Sequence, residues 1–156
     1  MRRNLEIVGL AALAAMLFIA LGALFGPSQL PQQIPTHFGL DGQPDGYGSR
    51  WSLLSMPIVA VALYSLMTVV ARRPSAFNYP VRVTPANRTL LESLALDMIA
   101  WLKVELVCIF AWLERVTIAA ARNGQGSLSA LFMPIALGVV LGTVIWYFVA
   151  MRRAAR

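Results

Sequence analysis

Apolar residues gather into four long runs along the chain, at about 5–26, 51–71, 85–121 and 128–151, and polar residues concentrate in the segments between them. Each run reaches or exceeds the roughly 20 residues that a helix needs to cross the hydrocarbon of a bilayer. The pattern predicts an all-α fold: an integral membrane four-helix bundle, one domain over 1–156, with a structured Pro/Gly-rich outer loop at 27–50.

The first run, Ile7 to Phe25, follows Arg2 and Arg3, as a signal peptide's core would. A signal peptide's apolar core spans about 7–15 residues and ends in a small-residue cleavage site. This run is longer and continues into Gly26-Pro27, so it reads as a retained helix. The second run, Trp51 to Ala71, has Ser49 as a candidate N-cap, Tyr47 and Trp51 as interfacial aromatics, and Pro57 about two turns in, where a kink is expected. Thr84-Pro85 reads as an N-cap and first helical residue of the third helix, which continues to about Arg122. At 1.5 Å per residue that is roughly 55 Å, more than the hydrocarbon thickness of about 30 Å. The helix is therefore divided into a cytoplasmic opening and a crossing part from Leu94 to Ile118. Asn123 to Ser127 returns the chain for the fourth helix, which has Pro134 in its first turns and Trp146-Tyr147-Phe148 near its far end.

Composition agrees with lipid as the solvent: 13% of residues are charged, against about 25% in soluble domains. The net charge is +6, but the arginines flank the apolar runs and form no basic face interleaved with aromatics, so no nucleic-acid partner is expected. Arg2 and Arg3, then Arg72, Arg73, Arg82 and Arg88, then Arg152, Arg153 and Arg156 fall on one side of the predicted bundle. Arg50 and Arg122 lie at helix edges on the other. The positive-inside rule places both termini in the cytoplasm, in a multi-pass arrangement expected in a bacterial inner membrane. Cys108 is the only cysteine, which excludes an intramolecular disulfide framework and any cysteine-based metal motif.

The segment from Leu30 to Arg50 is the most distinctive. Pro31 and Pro35 hold their neighbours extended, and Asp41-Gly42 and Pro44-Asp45-Gly46 read as consecutive turns. Leu30, Pro31, Ile34, Pro35, His37, Phe38, Gly42, Asp45, Gly48, Ser49 and Arg50 fall at the spacings of a pattern L-P-x-x-I-P-x-H-[FW]-x-x-x-G-x-x-D-x-x-G-S-[KR]. In this the first 70 or so residues resemble the bacterial membrane family catalogued as domain of unknown function 1648, found at the start of SdpI-like immunity proteins. The resemblance implies an outer loop after a first transmembrane helix, and a role in toxin-peptide immunity or envelope signalling. The chain departs from the family in having Gly39 where many members have Asn, and in stopping after four helices where SdpI-like proteins continue.

Two groups of residues are candidates for function. In the outer loop, Pro35, His37, Phe38, Asp41, Asp45 and Arg50 form a recognition surface for a peptide or protein partner. His37, Asp41 and Asp45 have metal-binding residue types, but their spacing crosses turns, so turn capping by the two aspartates and a structural hydrogen bond from His37 are the expected roles. In the third helix, Asp97, Lys103 and Glu105 fall in or near the hydrocarbon, where ionisable groups are costly unless paired or facing a cavity. At 100° per residue Asp97 and Glu105 are about 80° apart, while Lys103 points about 160° from Glu105. Lys103 and Glu105 must therefore find partners on other helices, in a second subunit or in a wet cleft. Thr68, Ser65, Tyr64 and Thr143 are among the few polar side chains on the other helices. An interhelical polar lock is favoured over a transport path.

No catalytic, cofactor-binding or metal residues are expected, since the chain has no phosphate loop, zinc-protease motif or nucleophile elbow. The leading expectation is a non-catalytic membrane protein surrounded by lipid. The alternatives are a small oligomeric transporter or channel using Asp97, Lys103 and Glu105, and an accessory subunit of a larger membrane complex.

Overall fold

The computed structural model describes residues 1–124 and 126–154. Helix α1 spans Arg2–Phe25, α2 Ser55–Val70, α3 Arg88–Asn123 and α4 Phe132–Arg153. Among the described residues, three helical segments are long and apolar enough to cross a membrane: Arg2–Phe25, Arg50–Val70 and Phe132–Arg153. The 36-residue α3 is not one of them; Asp97, Lys103, Glu105, Glu114 and Arg115 interrupt its apolar sequence.

Helix α3 is the axis of the bundle. It packs on α1, α2 and α4, whereas α4 packs chiefly on α3. Three apolar clusters are stacked along it. Near the hairpin end, Ala20, Ala23 and Leu24 of α1 meet Leu30, Ile34, Leu53 and Ile118. In the middle, Leu13 and Met16 meet Ala60, Tyr64 and Val107. At the other end, Leu91, Ala95 and Met151 are covered by Phe77, Tyr79, Val81 and Val83 of the α2–α3 connection.

The fold is not purely helical. The predicted outer loop is an antiparallel hairpin of strands β1 (Gln33–Phe38) and β2 (Pro44–Ser49). Pro44-Asp45-Gly46, expected as a turn, lies in β2, and the chain reverses over Gly39 to Gln43. There Gly39 N–H donates to the Gln43 carbonyl at 2.8 Å and Gln43 N–H to Asp41 Oδ1 at 3.0 Å. The prolines that look like strand breakers are tolerated because a two-stranded ribbon is all edge, so missing N–H groups can face away from the ladder. Register shifts on either side of His37 absorb the remaining mismatch.

Two helix starts differ from expectation. Arg50–Leu54 forms a 3₁₀ turn ahead of α2, so Pro57 lies in the first α-helical turn. Pro57 thus stands where the 3₁₀ turn passes into the α-helix, not two turns into it. Helix α3 begins at Arg88, one turn after Thr84: Thr84 N–H donates to Asn87 Oδ1 at 2.8 Å, and Asn87 N–H to Thr84 Oγ1 at 3.4 Å. This reciprocal pair has the form of a capping box.

Candidate functional site

The hairpin is seated on the bundle, not suspended above it. Leu30 and Ile34 are fully buried in the cluster formed with α1, the 3₁₀ turn and α3. The tip is fixed as well: Leu128 N–H donates to the Gly42 carbonyl at 2.8 Å. Gly42 has φ +78°, and a Cβ there would lie 1.7 Å from the Leu128 carbonyl oxygen. Only glycine satisfies both the left-handed backbone and that approach.

The residues singled out in this segment divide into two sets. His37 Nδ1 and Asp45 Oδ1 meet at 2.5 Å on the exposed surface, across the strand pair. Asp41 is separated from them in role, because its carboxylate caps the turn. Pro35 is buried and Phe38 half-buried. Arg50 reaches back to Gln29 Oε1 at 3.2 Å and the Leu30 carbonyl at 3.3 Å, with its guanidinium 5.4 Å from the Trp51 ring. Trp51 in turn packs against Phe25 with ring centroids 5.6 Å apart. Arg50 and Trp51 therefore anchor the hairpin base. The face left for contact carries His37, Asp45 and two apolar side chains, Leu40 (102% exposed) and Tyr47 (63%). Leu40 was not among the sequence candidates, since nothing in a turn sequence tells a protruding leucine from a buried one.

Inside the bundle, Asp97, Lys103 and Glu105 do not converge. Each is tied to a different place. Asp97 Oδ1 accepts from Arg2 Nε at 2.8 Å, and Arg2 also donates to Ser93 Oγ at 3.0 Å. Lys103 is buried, donates to Glu6 Oε1 of α1 and to Thr68 Oγ1 of α2 at 3.1 Å, and has its ammonium 4.5 Å from the Tyr64 ring. Tyr64 donates to Glu6 Oε2 at 2.6 Å, so both oxygens of Glu6 are occupied. Glu105 Oε1 accepts from Thr143 of α4 at 2.5 Å.

Gly9 makes the Lys103–Glu6 junction geometrically feasible: a Cβ there would meet Tyr64 Cε2 at 2.8 Å. Glu6 is the functional-type residue that sequence reasoning missed. Glu6 lies within the expected helix at about 5–26 but just ahead of its continuous apolar stretch from Ile7 to Phe25, beside Arg2 and Arg3. The available signal was Gly9, one turn further along the same face.

Some buried polar atoms have no hydrogen-bond partner, among them Glu105 Oε2, Glu114 Oε2 and Thr117 Oγ1. Arg115, adjacent to Glu114, is exposed and does not neutralise it. A cavity of about 420 Å³ between α3 and α4 is lined by Trp101, Glu105, Cys108 and Trp112 together with apolar residues of α4. Among the described residues, no group of three or more His, Cys, Asp or Glu side chains is placed to hold a metal ion.

Comparison with known proteins bears on the first two helices and the hairpin. The model of the family described as domain of unknown function (DUF1648) matches residues 11–61, which run from α1 through the hairpin into α2. An uncharacterized protein of the archaeon Archaeoglobus fulgidus is 27% identical over 150 residues, covering 87% of this chain and 81% of its own length. That similarity extends beyond the family segment into α3 and α4. No solved structure matches.

Proposed function

From a chain that carries the DUF1648 module over residues 11–61, we propose a non-catalytic multi-pass membrane protein whose outer hairpin docks a peptide or protein partner. The observation that carries the reading is the two-sided character of the hairpin. Leu30 and Ile34 bury its inner side in the bundle, while Leu40, Tyr47 and the His37–Asp45 pair face outward. A preorganised surface with apolar projections and a polar pair has the makeup of a binding surface, because little ordering entropy remains to be lost on contact. Toxin-peptide immunity or envelope signalling is the role that the SdpI-like resemblance adds.

The interior supports a holding role over a conducting one. Arg2 engages Asp97, Glu6 engages Lys103, and Thr143 engages Glu105, so each of these three ionisable side chains of α3 is bound to another helix. Ionisable groups held in this way, Glu105 through one of its two oxygens, act as locks between helices.

The test is copurification of the intact protein from gentle detergent, wild type against Leu40→Ser/Tyr47→Ser. Both side chains are exposed, so folding should be retained while the partner is lost. A partner recovered equally with both proteins would remove the hairpin from the interaction. Sensitivity of a deletion strain to peptide toxins tests the immunity role separately.

A further inference from the structure

At the opposite end of the bundle from the hairpin, a second cavity of about 420 Å³ opens between the end of α2, the α2–α3 connection, α3 and α4. Its walls are mostly apolar, with Val70, Phe77, Tyr79, Ile99, Phe148 and Met151 among them and Asn78 a polar member. The volume lies within the roughly 300–1,000 Å³ of small-molecule sites. The connection is held in shape there: Tyr79 donates to the Pro74 carbonyl at 2.7 Å. Burial, then the Glu92 carboxylate, push the Tyr79 phenol above its usual pKa, so it stays a neutral donor.

Two arginine pairs adjoin the cavity's lining residues in sequence. Arg72 and Arg73 follow Val70 within three residues, and Arg152 and Arg153 directly follow Met151. All four are exposed, and among the described residues none of their guanidinium groups has a carboxylate or hydrogen-bond partner. On the same side Arg2 and Arg88 have Asp97 and Glu92, whereas Arg3 and Arg82 are likewise exposed and without a side-chain partner among the described residues. An apolar cavity beneath unpaired planar cations matches an amphiphile with an apolar chain and an anionic head. Guanidinium forks bind phosphate oxygens in pairs, and basic pockets between helices at the cytoplasmic face are suited to anionic headgroups.

We infer that this cavity is a binding site for one anionic glycerophospholipid, its acyl chain between Phe77, Ile99 and Phe148 and its phosphate held by Arg72, Arg73, Arg152 and Arg153. The inference rests on the membrane reading above. A bound lipid would join α4, which otherwise packs chiefly on α3, to the end of α2.

Native mass spectrometry of the delipidated full-length protein, titrated with phosphatidylglycerol or phosphatidylcholine of the same acyl chains, tests it. The expected result is one phosphatidylglycerol bound roughly tenfold more tightly than phosphatidylcholine. Arg72→Gln/Arg152→Gln should abolish that preference, and Arg3→Gln/Arg88→Gln, with the same charge loss, should keep it. Ala76→Trp fills the cavity with every arginine in place and should expel the lipid, a readout independent of whether the arginine variants fold. Equal loss in both double variants, or no preference in the wild type, would overturn the proposal. Full displacement by millimolar inorganic phosphate would assign the site to a soluble anion and overturn the lipid. Wild-type protein that fails to insert into neutral phosphatidylcholine vesicles would overturn the membrane reading and the proposal with it, whereas insertion without anionic preference overturns the proposal alone.

Discussion

Lys103 shows how a charge is accommodated in this bundle. Its ammonium is buried and held by Glu6, Thr68 and the face of Tyr64. Removing one member of a buried ion pair strands the other, typically at 3–5 kcal/mol, although replacing both by apolar groups is often neutral. Glu6 retains some exposure, so Lys103→Met should cost about 2–3 kcal/mol in thermal unfolding in detergent. Adding Glu6→Leu should recover much of that loss. A double variant as unstable as the sum of the singles would show that the two residues are not coupled. Gly9→Ala should be destabilising through crowding alone, by about 1–3 kcal/mol, because its new Cβ meets the Tyr64 ring. Of this junction, Lys103, Thr68 and Tyr64 were legible from polar residues set within apolar runs. Glu6 was not, because a hydropathy boundary drawn at Ile7 says nothing of how far a glutamate on the preceding turn reaches inward.

Helices α1, α2 and α4 are legible at the scale of elements from continuous apolarity and α3 from an unbroken stretch without proline or glycine, and expectation and structure differ there by only a few terminal residues. The hairpin was harder to read. Prolines and glycines at 31, 35, 39, 42, 44, 46 and 48 have the composition of a loop, and the residue types of Pro44–Ser49 show no apolar-polar alternation, although their burial does alternate. What makes it a hairpin is tertiary: Ile34 is buried under α1 and α3, and Gly42 is held by Leu128. Gly42→Ala should therefore undock the tip, at more than about 1 kcal/mol given the left-handed backbone and the carbonyl contact. Faster hydrogen exchange at the Leu128 amide, with little change along α2, would show it. At the other side of α3, Thr143→Val leaves Glu105 Oε1 without its donor, a loss of about 1–3 kcal/mol for a buried acceptor. The first amides to exchange should be those of α4, the helix with fewest buried residues.

For the molecule as a whole, the distribution of arginine predicts sidedness. In a Cys108→Ser background, a cysteine at Asp41 should react with a membrane-impermeant maleimide in intact cells, and one at Arg82 only after lysis. Equal reactivity at both positions would overturn the assignment of both termini to the cytoplasm. The position of α3 at the centre of the polar contacts also bears on biogenesis. Of the four helices it has the sequence least suited to enter lipid alone, yet Arg2, Glu6 and Thr68, which receive Asp97 and Lys103, are all synthesised before it. A nascent chain thus has counter-charges waiting in its first helix and a hydroxyl in its second when the third emerges, and Glu105 must wait for Thr143. The costly helix enters last but one, into a cradle already made for it.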